Sequence, residues 1–388
     1  MAGNKLLDRL RSADKKGLFS ASQVSIMYPT GFTPFDYLNG YKVDVFNEKD
    51  ELVSSYQNIG IVGGSFVTII GKSGVAKTTW TIQSAYNMVR NYNDAFVMIY
   101  DLEQALNYTR IKNITGASQK DLNEKIVLRQ EKNYIEDIFD SIIQIANTKE
   151  NNKDDFMFET DLLDEFGKPI KTYVPTVIII DSIPTLASKD TEEEMKGGTD
   201  AARMAKAIKQ FYSRLIPIVK TYNITVFAIN HINAKMEINP FTKTQPQVMY
   251  LKQDESLPGG VAPIYYANNI LKFVSSSKFK EDDDGFDGFM VRVELVKSRT
   301  NKASKFVNLI YNQQFGFDPV LSILQFATDN NLLDGRNPYK YFKSNKDIKF
   351  DSRNFRELFD SDENIREATL ESVKPFLEAM LSNKTPDD

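Results

Sequence analysis

Cysteine is absent from this sequence, and histidine occurs once, as His231. The first absence excludes disulfides, thiol nucleophiles and thiolate metal sites. The second excludes His-rich zinc centres and leaves Ser-His-Asp catalysis a single imidazole to draw on. No long apolar run is present either: the longest, "VPTVIII" at 174–180, falls far short of the roughly 20 residues that cross a bilayer. The opening stretch "MAGNKLLDRLRSADKK" lacks the apolar segment of a secretory signal, so the expectation is a cytoplasmic protein with no membrane partner. Neither sign of charge dominates. Lys and Arg number 48 against 52 Asp and Glu, a net charge of -4 that gives no overall electrostatic footprint for nucleic acid. A local basic groove needs only a few well-placed cations. Any catalysis rests on carboxylates, Lys, Arg and that one imidazole.

What is present is an alternation of two apolar periods. "SFVTIIG" (65–71), "AFVMIYD" (95–101), "KIVLRQ" (125–130), "TVIIID" (176–181) and "ITVFAIN" (224–230) are short continuous apolar runs, the signature of strands buried on both faces. Between them, Ile82, Ala85, Met88, Val89 and Tyr92 share one side of a helix, and Met204, Ala205, Ile208, Phe211, Tyr212, Leu215 and Val219 form a longer stripe. Strands alternating with helices predict an α/β fold with a doubly wound, mostly parallel sheet. After His231 the pattern stops until about residue 260, a length of loop that is usually functional or disordered. Strand-like segments return at "NNILKFVSS", "GFMVRVELVKS" and "SKFVNLIY". The reading divides the chain into a small N-terminal helical arm (1–28), a core (29–328) and a charged, mainly helical C-terminal region (329–388), with polar surface excursions at 41–58 and 149–172.

"GKSGVAKTTW" at 71–80 is nearly the phosphate-binding loop G-x-x-x-x-G-K-[ST], with Ala76 where the second glycine belongs. In such a loop, backbone N–H groups and a helix N-terminus converge on phosphates, a lysine reaches the terminal phosphates, and a hydroxyl binds magnesium. Gly71, Ser73, Gly74, Val75, Ala76, Lys77, Thr78 and Thr79 are the candidate nucleotide-binding residues. Alanine at a loop glycine predicts either a negative φ at Ala76 or a strain of about 1 kcal/mol. Asp181, ending a buried strand, is the candidate magnesium-side carboxylate, with Thr78 as the other metal residue. Asp101 and Glu103 in "IYDLEQ" both lie where a water-activating group is needed, and His231 ends another strand.

"GKSGVAKTTW", "YDLEQALNYTR", "VIIIDSIPTLASKDTEEE", "TDAARMAKAIK", "FAINH", "GGVAPIYYANNILKF" and "VELVKSRT" together, in this order, resemble the RecA-type recombinase family, most closely its phage UvsX branch. The resemblance spans roughly 29–330 and implies a RecA-like P-loop ATPase core with ATP and Mg2+ as cofactors. It selects Glu103 over Asp101 to activate water, and makes His231 the sensor of the terminal phosphate. Lys297 and Arg299 take the place of two cations inserted into the neighbouring subunit's ATP, which implies a homo-oligomeric helical filament with residues 1–28 as its polymerisation arm, anchored through Phe19 and Ala21. DNA contacts are implied on two loops, about 188–200 and 232–260, with Lys196, Arg203, Lys235, Met236, Phe241 and Lys243 as candidates and Lys252 as a further cation. Where relatives stack a Tyr on adenine this chain has Arg110, with Tyr108 nearby, and both are candidates. The implied partners are single-stranded DNA, double-stranded DNA as exchange substrate, and loader and single-strand-binding proteins. A RecA-fold hexameric helicase and an ATP-binding mediator with little turnover share many of these features.

Overall fold

The computed structural model describes Leu6, Arg9 and residues 24–47, 49–131, 134–164, 167–189, 200–234, 247–278 and 288–383. Its centre is one nine-stranded sheet. In chain order the strands are β1 (Phe66–Gly71), β2 (Phe96–Asp101), β3 (Ile126–Arg129), β4 (Thr176–Asp181), β5 (Ile224–His231), β6 (Asn269–Lys278), β7 (Gly288–Ser298), β8 (Lys305–Asn312) and β9 (Gly316–Asp318). They lie in the order β9-β8-β7-β6-β1-β5-β4-β2-β3. The run from β6 to β3 is parallel throughout. The pairs from β6 to β9 are antiparallel. This mostly parallel sheet with flanking helices is the α/β architecture expected of a RecA-like P-loop ATPase core.

Every residue of β1 and β4 is buried, which is why their sequences are unbroken apolar runs rather than alternations. Successive side chains still divide between the faces. Val177, Ile179, Phe227 and Ile229 join one core cluster with the helix Lys77–Val89. Ile178, Ile180, Val226 and Ala228 join the other with the helices Ile135–Asn151 and Asp200–Thr221. Trp80, the sole tryptophan, is fully buried on the inner face of the helix Lys77–Val89, with Phe35 at 4.9 Å and Phe273 at 5.5 Å between ring centroids. These aromatic contacts fix the helix that opens with Lys77 against β6 and the short helix Thr33–Asn39.

Strand register then decides what meets at the sheet edge. Asp181 is opposite Asp101, and His231 is opposite Gly71. All four residues end parallel strands on the same edge, where α/β sheets open their binding crevice.

Three expectations are refined. Beside the helices Phe355–Ser361 and Glu363–Glu378, the C-terminal region holds an antiparallel sheet of Leu333–Asp334, Tyr339–Phe342 and Asn345–Asp351. The helix Pro319–Asp329 belongs to it by packing, since Ile323, Phe326 and Ala327 share a cluster with Phe342, Phe350 and Phe355. The excursions at 41–58 and 149–172 contain β-hairpins, Tyr41–Phe46 with Leu52–Asn58 and Met157–Leu163 with Pro169–Tyr173, joined by a 2.7 Å hydrogen bond from Tyr56 to the Leu163 carbonyl. The end of the expected loop 232–260 is packed: Leu251 and Leu257 are buried with Ile70, Ile232 and Ile270, and Asn233–Ala234 pairs with Glu255–Ser256.

Candidate active site

Lys77 begins the helix after β1, and its ammonium turns back into the loop. Nζ donates to the carbonyls of Gly71 (3.0 Å) and Lys72 (2.7 Å) and lies 3.5 Å from His231 Nδ1. Burial lowers its pKa to about 8, while the Asp181 and Glu103 carboxylates pull the other way. Thr78 Oγ1 donates to Asp181 Oδ2 at 2.6 Å. Asp181 is buried, and desolvation raises its carboxyl to about 6 against the Thr78 hydrogen bond, with Glu103 and Asp101 adding repulsion.

Glu103 closes the cluster. Its Oε1 accepts from Ser182 Oγ at 2.6 Å and meets His231 Nε2 at 3.1 Å. An ammonium has no lone pair, so the ring nitrogen facing Lys77 is the acceptor and Nε2–H is the donor to Glu103, a tautomer assigned from the network. Lys77, His231 and Glu103 thus form one chain of hydrogen bonds. Asp101 plays another part: its carboxylate accepts from the N–H of Ala105 (3.2 Å) and Leu106 (2.8 Å) and from Gln130 Nε2 (2.7 Å). It builds the turn that presents Glu103, and its oxygens are engaged there.

The loop reaches its shape with two left-handed residues, Gly74 at φ 78 and Ala76 at φ 58. Residues of this kind turn successive N–H groups toward one anion. At Gly71 the need is space instead, since a Cβ there would come within 2.7 Å of the Phe273 carbonyl oxygen. Ala76 realises the strained alternative, worth about 1 kcal/mol for a residue with a Cβ. Ala76→Gly is therefore expected to stabilise the fold by about 1 kcal/mol or somewhat less, because glycine's greater freedom in the unfolded chain offsets part of the gain. Urea denaturation checks it; an unchanged or lower midpoint removes the strain argument.

Of the other predicted residues, Val75 and Thr79 are buried and Ser73 is exposed. Tyr108 is 47% exposed at the start of the helix Tyr108–Thr115. The Arg110 guanidinium donates to the carbonyls of Gln313 (2.6 Å) and Gln314 (3.1 Å) and to the Tyr311 hydroxyl (3.3 Å), tying that helix to the β8–β9 turn. Lys297 and Arg299 are not brought to this loop. Lys297 pairs with Ile270, itself opposite Thr68, and its ammonium donates to the carbonyls of Ile264 and Tyr265 at 2.9 Å. Arg299, exposed, approaches the same Tyr265 carbonyl at 3.4 Å. Arg203 is exposed on the helix Asp200–Thr221. Lys196, Lys235, Met236, Phe241 and Lys243 lie outside the described residues, as do Phe19, Ala21 and nearly all of 1–23. Glu255, within the expected loop 232–260, is buried 3.9 Å from Lys272.

Residues 47–232 match the ATPase family KaiC. No curated protein matches the chain. The matched residues contain the whole cluster of Lys77, Thr78, Glu103, Asp181 and His231, and end before Lys297 and Arg299. A P-loop ATPase family implies a nucleotide and its magnesium ion, and the donor set fits both. Thr78 and Asp181 offer paired hard oxygens, which magnesium takes one or two at a time alongside phosphate oxygens and water. Lys77 and the left-handed turns supply the phosphate side. Ser182 and Gln130 were missed by sequence reasoning. Ser182 had a signal, standing directly after Asp181 in "VIIIDS". Gln130 had none, because its bond to Asp101 spans 29 residues.

Proposed function

We propose that this protein is an ATP-dependent recombinase of the RecA type, akin to the UvsX branch. In this reading it assembles as a helical filament on single-stranded DNA, pairs it with homologous duplex and hydrolyses ATP between subunits. The observation that supports it best is the division of catalytic groups between two edges of one chain. Lys77, Thr78, Glu103, Asp181 and His231 converge at the crevice edge, while Lys297 and Arg299 stand three residues back along the sheet, beside Ile264 and Tyr265. Cations so placed serve another copy's nucleotide rather than their own.

In this mechanism Lys77 leaves the loop carbonyls for the terminal phosphates. Thr78 and Asp181 would hold a magnesium ion, whose chemistry there would be to neutralise phosphate charge. Glu103 orients the attacking water through the carboxylate oxygen that Ser182 and His231 leave free. His231 lies between the phosphate end and Ile232, whose N–H is held by the Gly71 carbonyl, so the sensor and the proposed DNA-contacting segment begin at the same point. Arg203 and the five loop candidates would hold the strand by phosphate contacts and stacking.

Electron microscopy of the full chain with ATP and single-stranded DNA, alongside ATPase measurements with and without DNA, tests the reading. Open helical filaments with DNA-stimulated turnover are expected. Closed rings would indicate a helicase, and nucleotide binding without turnover a mediator; either result ends the recombinase assignment.

A further inference from the structure

A second cavity lies at the other end of the helix that begins with Lys77. Its volume is 740 Å³, within the range of small-molecule sites, and no residue from Gly71 to Thr79 lines it. Its walls come from the last turns of Lys77–Val89, the end of Tyr108–Thr115, the β8–β9 turn and residues 353–357 of the C-terminal region.

Charge in the cavity is uneven. Arg90, Arg353 and Arg356 line it together with Asp318 and Glu357. Asp318 is already spent: it caps the helix Pro319–Asp329 through the N–H groups of Val320 (2.9 Å) and Leu321 (3.0 Å) and pairs with Arg356. Arg353 is paired with Asp351 at 2.7 Å. Arg90 is exposed, and its guanidinium has neither ion pair nor hydrogen bond among the described residues. Asn113 and Asn354 line the same space, and so does Phe315, which is 56% exposed.

We infer that this cavity is a second ligand site, for a small molecule carrying an anionic group beside a planar ring, with nucleoside phosphates as the matching class. Arg90 takes the phosphate through its planar fork of donors. Asn113 and Asn354 bond the edge of the ring, and Phe315 packs on its face. The site is separate from the P-loop and does not depend on what reaction that loop serves.

Equilibrium dialysis of the full chain with labelled ADP tests it. Two bound equivalents are expected in the wild type, one of which disappears in Arg90→Glu and weakens about tenfold in Phe315→Ala, the usual effect of losing an aromatic partner for a base. The inference falls if no bound equivalent responds to Arg90→Glu. Lys77→Met reads the loop site independently: the cavity equivalent should remain in that variant. If Lys77→Met removes nothing, the P-loop assignment suffers and the cavity does not.

Discussion

Glu103→Gln is expected to lower the kcat of ATP hydrolysis about 10²- to 10⁴-fold while leaving nucleotide affinity within a few-fold. The substitution keeps the size of the side chain and an oxygen able to accept from Ser182, so the hydrogen bond that holds the residue survives. It removes the negative charge and the second carboxylate oxygen, which no protein group bonds among the described residues. Binding and turnover therefore separate. Trp80 allows both to be followed in one sample, being the only tryptophan and lying on the helix that starts at Lys77. Turnover within about threefold of wild type, with the protein folded and binding ATP, would exclude Glu103 as the group that activates water.

The contrast between Glu103 and Asp101 shows how far sequence can go. Both carboxylates follow a buried strand, and their spacing alone left the choice open. The structure separates them by hydrogen-bond partners: three donors on Asp101 come from the turn and from Gln130, whereas Glu103 receives Ser182 and His231. The parallel core was legible because strands buried on both faces must be continuously apolar, as "TVIIID" is. The edge on which Gly71, Asp101, Asp181 and His231 meet followed from their positions at strand ends. The C-terminal sheet was not legible. Its strands intersperse lysines with aromatics in "YKYFKSNKDIKF", so the charge-rich composition hid a short period-2 pattern that buries Phe342 and Phe350. Likewise, residues 247–260 looked like loop because the residues that anchor them, Val248, Tyr250, Leu251 and Leu257, follow neither a helix nor a strand period. Ala76 was read correctly as an alternative, negative φ or strain, and local sequence does not choose between them because the chain on both sides fixes the angle.

The proposed role of Arg299 in a neighbouring copy makes the sharpest demand on the proposed assembly. Alone, Arg299→Ala is expected to lose turnover about 10³- to 10⁵-fold, the range for a cation supplied to a phosphoryl-transfer site by a neighbour. Within one chain the residue cannot do this work. Lys297 aligns with Thr68 through Ile270, three residues before Gly71, which at about 3.3 Å per residue puts it roughly 10 Å back along the sheet and two strands aside. Arg299 lies further along the same strand direction. In a head-to-tail assembly, however, one copy's edge meets the next copy's crevice at every junction. Mixing Arg299→Ala with Glu103→Gln then becomes decisive, because each variant keeps what the other lacks. In an equal, random mixture half the sites retain Glu103, and half of those face a neighbour with Arg299. About a quarter of the wild-type rate should return from two nearly inactive proteins. If the mixture forms the same filaments yet turns over no faster than the sum of its parts, Arg299 acts within its own chain or not at all.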